Sequence, residues 1–140
     1  MSVEDNKAMA RRFYDEVING GDLDVIDELV SEDFIDHGGY PGLPNTGPAA
    51  PKAVFSMFRA AFPDLQFTPD EMIAEGDKVV TRATVSGTHR GEFMGIPATN
   101  KGFKVQAIDI GEFHDGKLTA HWGVTDQAAM MAQLGLAPEM

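Results

Sequence analysis

One carboxylate, that of Asp109, is predicted to lie on an otherwise apolar face of a β-hairpin. The hairpin is indicated by Asp115-Gly116 between two runs of alternating apolar residues, because Asp-Gly is typical of a two-residue turn. Burial disfavours the charged form of a carboxylate and raises its pKa, which suits proton transfer near neutral pH. Asp109 is therefore a candidate general acid or base. The alternatives are a core carboxylate satisfied by hydrogen bonds, or one that a bulge turns toward solvent.

The two-residue turn also predicts a register for the two strands. With the residues that flank the turn paired, Asp109 lies opposite Trp122, and His121 falls on the other face of the sheet. Trp122 then either packs in the core or borders a planar substrate beside Asp109. The same register favours a surface or interface role for His121. A bulge near Gly123 would instead bring His121 to the face of Asp109, so His121 stays among the catalytic candidates.

Further candidates for a site are polar and aromatic residues whose positions the sequence does not determine. His37 ends a short β-like segment before a glycine- and proline-rich loop. It is a candidate to pair with Asp109 or to bind a substrate carbonyl, and hydrogen bonding within the loop is the alternative. Tyr14 and Tyr40 each offer a hydroxyl to an oxyanion. The remaining pocket candidates are apolar residues of a helix and of a loop between strands, for which plain packing is the alternative: Phe58, Phe62, Phe93 and Met94.

The elements expected to position these residues are three N-terminal helices, a run of strands and a C-terminal helix. Ser2 begins a capping-box pattern ahead of an apolar helical repeat, which Gly20-Gly21 end. Beyond the third helix the apolar period changes to two, which indicates strands. The best-marked strands are expected over 79–88, 103–113 and 118–124. Helices followed by an antiparallel sheet are typical of the α+β class, and residues 1–140 are expected to form one domain.

Composition and charge argue against several functional classes. The chain has no cysteine, which excludes disulfide scaffolds, thiolate metal sites and cysteine nucleophiles. Its 11 basic and 22 acidic side chains give a net charge of −11, which opposes binding to nucleic acid or to anionic membranes. The four histidines lack the spacing of a metal site and no phosphate-binding or dinucleotide motif is present, so we expect no metal and no cofactor. A polar, acidic N-terminus predicts a soluble cytoplasmic protein.

Short motifs spread over nearly the whole chain carry a family resemblance: Arg12-Phe13-Tyr14, Ala60-Ala61-Phe62-Pro63-Asp64, Gly87-Thr88-His89-Arg90-Gly91-Glu92-Phe93-Met94-Gly95-Ile96-Pro97 and His121-Trp122-Gly123-Val124. On these motifs the chain resembles the SnoaL-like polyketide cyclases and predicted ester cyclases of the nuclear transport factor 2-like superfamily. The resemblance implies a cone-shaped α+β barrel, in which a curved antiparallel sheet wraps N-terminal helices around a deep apolar cavity. It also implies intramolecular aldol closure of a polyketide ester by an acidic residue and a histidine, without metal or cofactor.

The chain departs from the pattern of that family at two strand positions. Alignment through Asp115-Gly116-Lys117 places Asp109 where the family has its histidine, and Gly123 where the family has its acid. Asp126 is then the nearest carboxylate to that second position. What the resemblance implies here is a cavity that holds an acid/base group, rather than one particular reaction.

Two hypotheses about function follow. The first is a cofactor-independent acid/base enzyme, of cyclase, isomerase or hydrolase type, that acts on a small hydrophobic carbonyl or cyclic compound. The second is a non-catalytic module for small-molecule binding or dimeric association, because the same fold hosts binding proteins. In both cases we expect a homodimer, since an exposed sheet face with Ile108 and Ile110 favours self-association.

Overall fold

The helical N-terminal segment begins and ends where the sequence predicts. In the computed structural model, which describes residues 2–136, helix α1 spans Val3–Arg12 and Ser2 is its N-cap. The N–H of Asp5 donates to Ser2 Oγ and the N–H of Ser2 donates to the Asp5 carboxylate, which confirms the capping box. A π-helical segment, Phe13–Asn19, continues α1 up to Gly20. The two ends of the expected domain, residues 1 and 137–140, lie outside the described residues.

The remaining elements follow the predicted order, with the short first strand between the second and third helices. A 3₁₀ turn leads into the short helix α2, strand β1 follows it, and the longer helix α3 precedes the other four strands. Their bounds are Leu23–Val25 for the 3₁₀ turn, Ile26–Leu29 for α2, Val30–Asp36 for β1, Ala49–Ala61 for α3, Gln66–Glu75 for β2, Lys78–Thr88 for β3, Gly102–His114 for β4, Lys117–Thr125 for β5 and Gln127–Gln133 for α4.

The five strands form one open sheet in the order β1-β5-β4-β3-β2. The pairs among β2 to β5 are antiparallel, as predicted, whereas β1 lies parallel to β5 at the edge. A parallel pair requires a long connection, and the chain between β1 and β5 supplies it by including α3 and the other three strands. The sheet is therefore mixed rather than purely antiparallel. The α+β class itself is confirmed.

The hairpin of β4 and β5 contains a bulge that changes its register. Phe113 pairs with Leu118, as predicted, but Glu112 pairs with Ala120. Thr119 is thus an extra residue on β5, and a β-bulge of this kind leaves one residue unpaired. Every later residue of β5 is displaced by one position relative to the predicted register and changes face.

The displacement corrects two predictions about β5. Asp109 lies opposite Gly123 rather than Trp122, and His121 shares the inner face of the sheet with Asp109. Trp122 lies on the outer face. The predicted register was wrong because the apolar residues of β5 were assigned to the core, yet Val124 on the outer face is 71% exposed. Apolar alternation shows which residues share a face, but not which face is buried.

Helices and the inner face of the sheet enclose the core. One cluster of buried side chains centres on Phe62 and Phe103, and a second centres on Ile26 and Phe34. Within residues 2–136, none of the helices has the length and apolarity that crossing a membrane requires.

Candidate active site

A cavity of about 150 Å³ lies between the helices and the inner face of the sheet, and members of both core clusters line it. Most of its walls are apolar, with phenylalanines from the π-helical segment, α3 and the strands. The polar side chains among its lining residues are Tyr14, Asp36, Tyr40, Thr81, Asp109, His121 and Thr125. A few convergent polar groups in an apolar pocket are the usual form of a small-molecule site.

The imidazole of His121 lies between two carboxylates. Its Nε2 is 2.9 Å from Asp109 Oδ1, and its Nδ1 is 3.0 Å from Asp36 Oδ1. The bulge at Thr119 turns His121 toward Asp109, and the parallel pairing of β1 with β5 sets Asp36 beside His121. Three strands therefore each contribute one member of the cluster.

Opposite two ionised carboxylates, both nitrogens of the His121 ring must carry protons. An ionised carboxylate only accepts hydrogen bonds, whereas a neutral imidazole has a single N–H. Burial by itself would lower the pKa of His121, but the hydrogen bonds and charges of Asp109 and Asp36 outweigh it and raise that pKa to about 9. Burial also disfavours the charged form of Asp36 and by itself would raise the pKa of this carboxyl group. The hydrogen bond and charge of His121 outweigh burial and lower that pKa below its ordinary value.

The second oxygen of Asp109 contacts a tyrosine. The hydroxyl of Tyr14 donates to Asp109 Oδ2 over 3.2 Å, from a side chain that the π-helical segment buries in the core. Burial, together with the charge of Asp109, raises the pKa of Tyr14 well above its usual range. The pKa of Tyr40 is raised by burial and by the charges of Asp109 and Asp36. Both phenols therefore stay protonated at neutral pH and act as hydrogen-bond donors.

Gly123 leaves the space in which Asp109 and His121 meet. A Cβ at this position would overlap Asp109 Oδ1 and would lie 3.0 Å from His121 Nε2. The overlap with Asp109 Oδ1 is closer than real Cβ atoms come to other atoms, so a side chain opposite Asp109 would push the carboxylate away from its place beside the imidazole.

The structure brings five of the residues singled out from the sequence to one cavity. Asp109, His121, Tyr14, Tyr40 and Phe58 all line it. Tyr40 reaches it from the loop after β1, where its ring packs edge-on against Phe58 at a centroid distance of 5.5 Å. Their catalytic and binding roles stay predictions.

Two other candidates lie together away from the cavity lining. The rings of His37 and Trp122 stack at a centroid distance of 4.6 Å and an interplanar angle of 5°. Lys78 Nζ lies 5.5 Å from the Trp122 ring. His37 is exposed, and its backbone N–H donates to the carbonyl oxygen of His121. Its hydrogen bond to the site thus runs through the backbone of β5, while its imidazole stacks on Trp122.

The last three candidates belong to an aromatic cluster and a loop behind the cavity. Phe62 and Phe93 are buried with ring centroids 5.2 Å apart, and Phe93 also lies 5.3 Å from Phe58. Neither Phe62 nor Phe93 is a lining residue of the cavity. Met94 is 52% exposed near the middle of the loop between β3 and β4.

Sequence reasoning missed Asp36 and Thr81. Asp36 precedes His37 directly, and the sequence pattern indicates only the histidine as a candidate. Thr81 is buried opposite Asp109 on β3, on the face that strand alternation assigns to the core. Within the part of the chain that the structure describes, no three His, Asp or Glu side chains are arranged to hold a metal ion.

The fold and this cluster define a class of cavity-forming α+β proteins with a carboxylate–imidazole pair inside an apolar chamber. The particular assignment follows from comparison with known families. The chain belongs to the SnoaL-like polyketide cyclase family, whose model matches residues 8–134.

Individual relatives agree with this assignment. The chain is 27% identical over 118 residues to nogalonic acid methyl ester cyclase from Streptomyces nogalater, across 84% of this chain and 88% of that protein. It is 27% identical over 122 residues to aklanonic acid methyl ester cyclase DnrD from Streptomyces peucetius, across 86% of this chain and 84% of that protein. The solved structure of TsrD from Streptomyces laurentii matches with a TM-score of 0.87 and 29% identity, over 97% of this chain and 98% of that one.

Proposed function

We propose that the protein is a cofactor-independent acid/base enzyme of the polyketide ester cyclase type, which acts on a small hydrophobic carbonyl compound in the cavity. The observation that carries the proposal is the Asp109–His121 pair inside an apolar pocket. Membership of the polyketide cyclase family and the ester cyclase relatives support it.

In this proposal Asp109 is the base and His121 is not. Both nitrogens of His121 are engaged by carboxylates, whereas the Tyr14 hydroxyl is the one hydrogen-bond partner of Asp109 Oδ2 among residues 2–136. Asp109 removes a proton from the carbon next to a carbonyl group, and the electron pair of that C–H bond forms an enolate. Tyr40 supplies a donor for the enolate oxygen, and Tyr14 supplies a second one when its hydroxyl turns away from the Asp109 oxygen that has taken the proton.

Ring closure then needs no further reagent. The enolate carbon attacks a second carbonyl of the same molecule, a C–C bond forms, and the π electrons of that carbonyl move to its oxygen. The proton held by Asp109 returns to this alkoxide, directly or through a tyrosine hydroxyl. The product is an isomer of the substrate, and the carboxylate is restored.

The size of the cavity restricts what the substrate can place inside it. About 150 Å³ is the volume of an engineered protein cavity that holds one benzene molecule. We therefore propose that the reacting ring enters the cavity, and that the rest of a polyketide skeleton extends through its open side. Such a partial enclosure still excludes water from the carbon that loses its proton.

Deuterium exchange tests the base directly. Nogalonic acid methyl ester is incubated with the protein in deuterium oxide, and mass spectrometry follows both isotope uptake and a product of changed retention. Wild-type protein is expected to catalyse uptake, and Asp109→Asn is expected to lower the rate by about 10²-fold or more. Glu112→Gln, on the outer face of the same strand, is the matched control and should behave as wild type.

The outcomes separate the two hypotheses about function. Wild-type turnover in Asp109→Asn would refute the assignment of the base. If a panel of polyketide esters binds but every compound is returned without exchange or rearrangement, the second hypothesis, a binding module, replaces the enzyme.

We also propose that the protein is a homodimer in the cytoplasm. An apolar row crosses the outer face of four strands, since Ile73 pairs with Val80, Val80 with Ile110 and Ile110 with Trp122. Ile73 is 59% exposed, and exposed apolar patches favour association. Sedimentation equilibrium tests the proposal: Ile110→Glu should yield monomers, and a monomeric wild-type protein would contradict it.

A further inference from the structure

We propose that Asp36 is a positioning residue of this site, which keeps both nitrogens of His121 protonated and so holds the ring as a donor to Asp109. Asp36 acts through His121 and need not touch the substrate. The catalytic consequence rests on the function proposed above, whereas the effect on His121 does not.

The backbone around Asp36 holds its carboxylate in place. Asp36 is the last residue of β1, and the parallel register sets it level with His121. The N–H of Gly38 donates to Asp36 Oδ1 over 2.9 Å, and the N–H of His37 donates to the carbonyl oxygen of His121 over 2.8 Å. The Asp36 side chain is only 11% exposed, so few solvent molecules compete for its contact with the ring.

These contacts determine which nitrogens of the His121 ring carry protons. Because Asp36 Oδ1 accepts from Nδ1 of His121, that nitrogen must carry a proton. A neutral ring would then present the lone pair of Nε2 to Asp109 Oδ1, which is only 2.9 Å away. Two electron-rich atoms repel each other at this distance, so Nε2 takes a proton as well. The acceptor oxygen of Asp36 thus fixes one proton on Nδ1, and its negative charge, added to that of Asp109, stabilises the second proton on the ring.

The other titratable groups around His121 come from two strands, a helix and a loop: Asp36 and His37 at the end of β1, Asp109 on β4, Tyr14 in the π-helical segment and Tyr40 in the loop after β1. The two tyrosines have pKa values above their ordinary value and stay neutral below pH 9. The two carboxylates are therefore the anions that determine the charge of His121.

The test is a titration of the His121 ring by nitrogen-15 NMR in the free protein. Asp36→Asn keeps an oxygen that accepts from Nδ1 but removes the negative charge. We expect the titration midpoint of His121 to fall by about one pH unit or more relative to wild type. Asp33→Asn, an exposed residue of the same strand, is the matched control and should leave the midpoint unchanged. An unchanged midpoint in Asp36→Asn would overturn the proposal.

The pH dependence of turnover gives a second readout. In wild type, kcat/KM is expected to decline at alkaline pH over the range in which His121 loses its proton. In Asp36→Asn, the pH of that decline and the titration midpoint of His121 should both move toward neutral pH. A loss of activity by one constant factor at every pH, with an unmoved His121 midpoint, would indicate substrate contact or a folding defect instead, and would contradict the positioning role.

Two features keep this test independent of folding and of the proposed function. The titration needs no substrate, so an absence of turnover would refute the proposed function and leave the role of Asp36 open to measurement. If Asp36→Asn does not fold, the nitrogen-15 spectrum of the wild-type protein at neutral pH still tests the proposal. Protons on both ring nitrogens of His121 would support it, and a ring nitrogen without a proton would refute it.

Discussion

Alkaline pH should destabilise the folded protein through His121. The pKa of its imidazole is raised from 6.5 in the unfolded chain to about 9 in the folded protein. A group whose pKa rises on folding stabilises the folded state fully below its unfolded pKa, and that contribution is lost as pH rises through the folded pKa. The free energy of unfolding should therefore decline between about pH 6.5 and pH 9.5.

The size of the decline follows from the two pKa values. At about 1.4 kcal/mol per pH unit, the interval from 6.5 to about 9 corresponds to about 3 kcal/mol. This is an upper value, because the His121 side chain is 30% exposed and solvent screens part of the attraction. For a domain whose total stability is about 5–15 kcal/mol, such a change is readily measured.

The assay is urea unfolding followed by circular dichroism at constant ionic strength over that pH range. His121→Gln is the reference, because it removes the titrating group and retains hydrogen-bonding capacity. The difference in free energy of unfolding between wild type and His121→Gln should be largest near pH 6.5 and should shrink toward pH 9.5. Parallel curves for the two proteins would refute the reasoning, since no other group changes between them.

Three further substitutions test other contacts of the fold and the site. Gly123→Ala places a Cβ against the Asp109 carboxylate, and should lower kcat/KM by at least about tenfold and lower the pKa of the His121 ring. Tyr14→Phe removes the hydroxyl that donates to Asp109, and should lower both turnover and, by about 1–3 kcal/mol, the free energy of unfolding. Asn19→Ala removes two hydrogen bonds of 2.7 Å to the backbone of Phe67, and should cost about 1–3 kcal/mol in urea unfolding.

Two of these substitutions, Gly123→Ala and Asn19→Ala, have a control in a similar setting. Gly39→Ala meets only ordinary contacts and should leave turnover unchanged, so an equal loss there would show that any added methyl group is harmful. Gln66→Ala alters an exposed residue beside Phe67 and should leave stability within about 0.5 kcal/mol of wild type. If Tyr14→Phe kept full activity and stability, its hydroxyl would contribute nothing to the site.

Local backbone requirements made several elements predictable. The capping box at Ser2 and the turn at Asp115-Gly116 depend only on residues close in sequence. Both turn residues adopt positive φ, 51° and 77°, which Asp and Gly tolerate in a tight hairpin. The inward position of Asp109 also followed from alternation along β4, because it falls in step with the buried residues Val105, Ala107 and Phe113.

The face of His121 could not be predicted in the same way. One extra residue at Thr119 reverses every later side chain of β5, and no local pattern marks it. Apolar residues stand on the outer face of β4 and β5 as well, so hydrophobicity favoured the wrong register. Gly123 was the available signal, since a glycine in a strand often marks a close approach of other atoms.

The sequence by itself determined the order of elements, the class of fold and the one carboxylate on the inner face of β4. Only the tertiary structure decided what surrounds that carboxylate. Asp36 and His121 are 85 positions apart and meet because β1 pairs in parallel with β5. Parallel pairing joins distant segments through backbone hydrogen bonds, which are the same for every residue type and so leave no trace in the sequence.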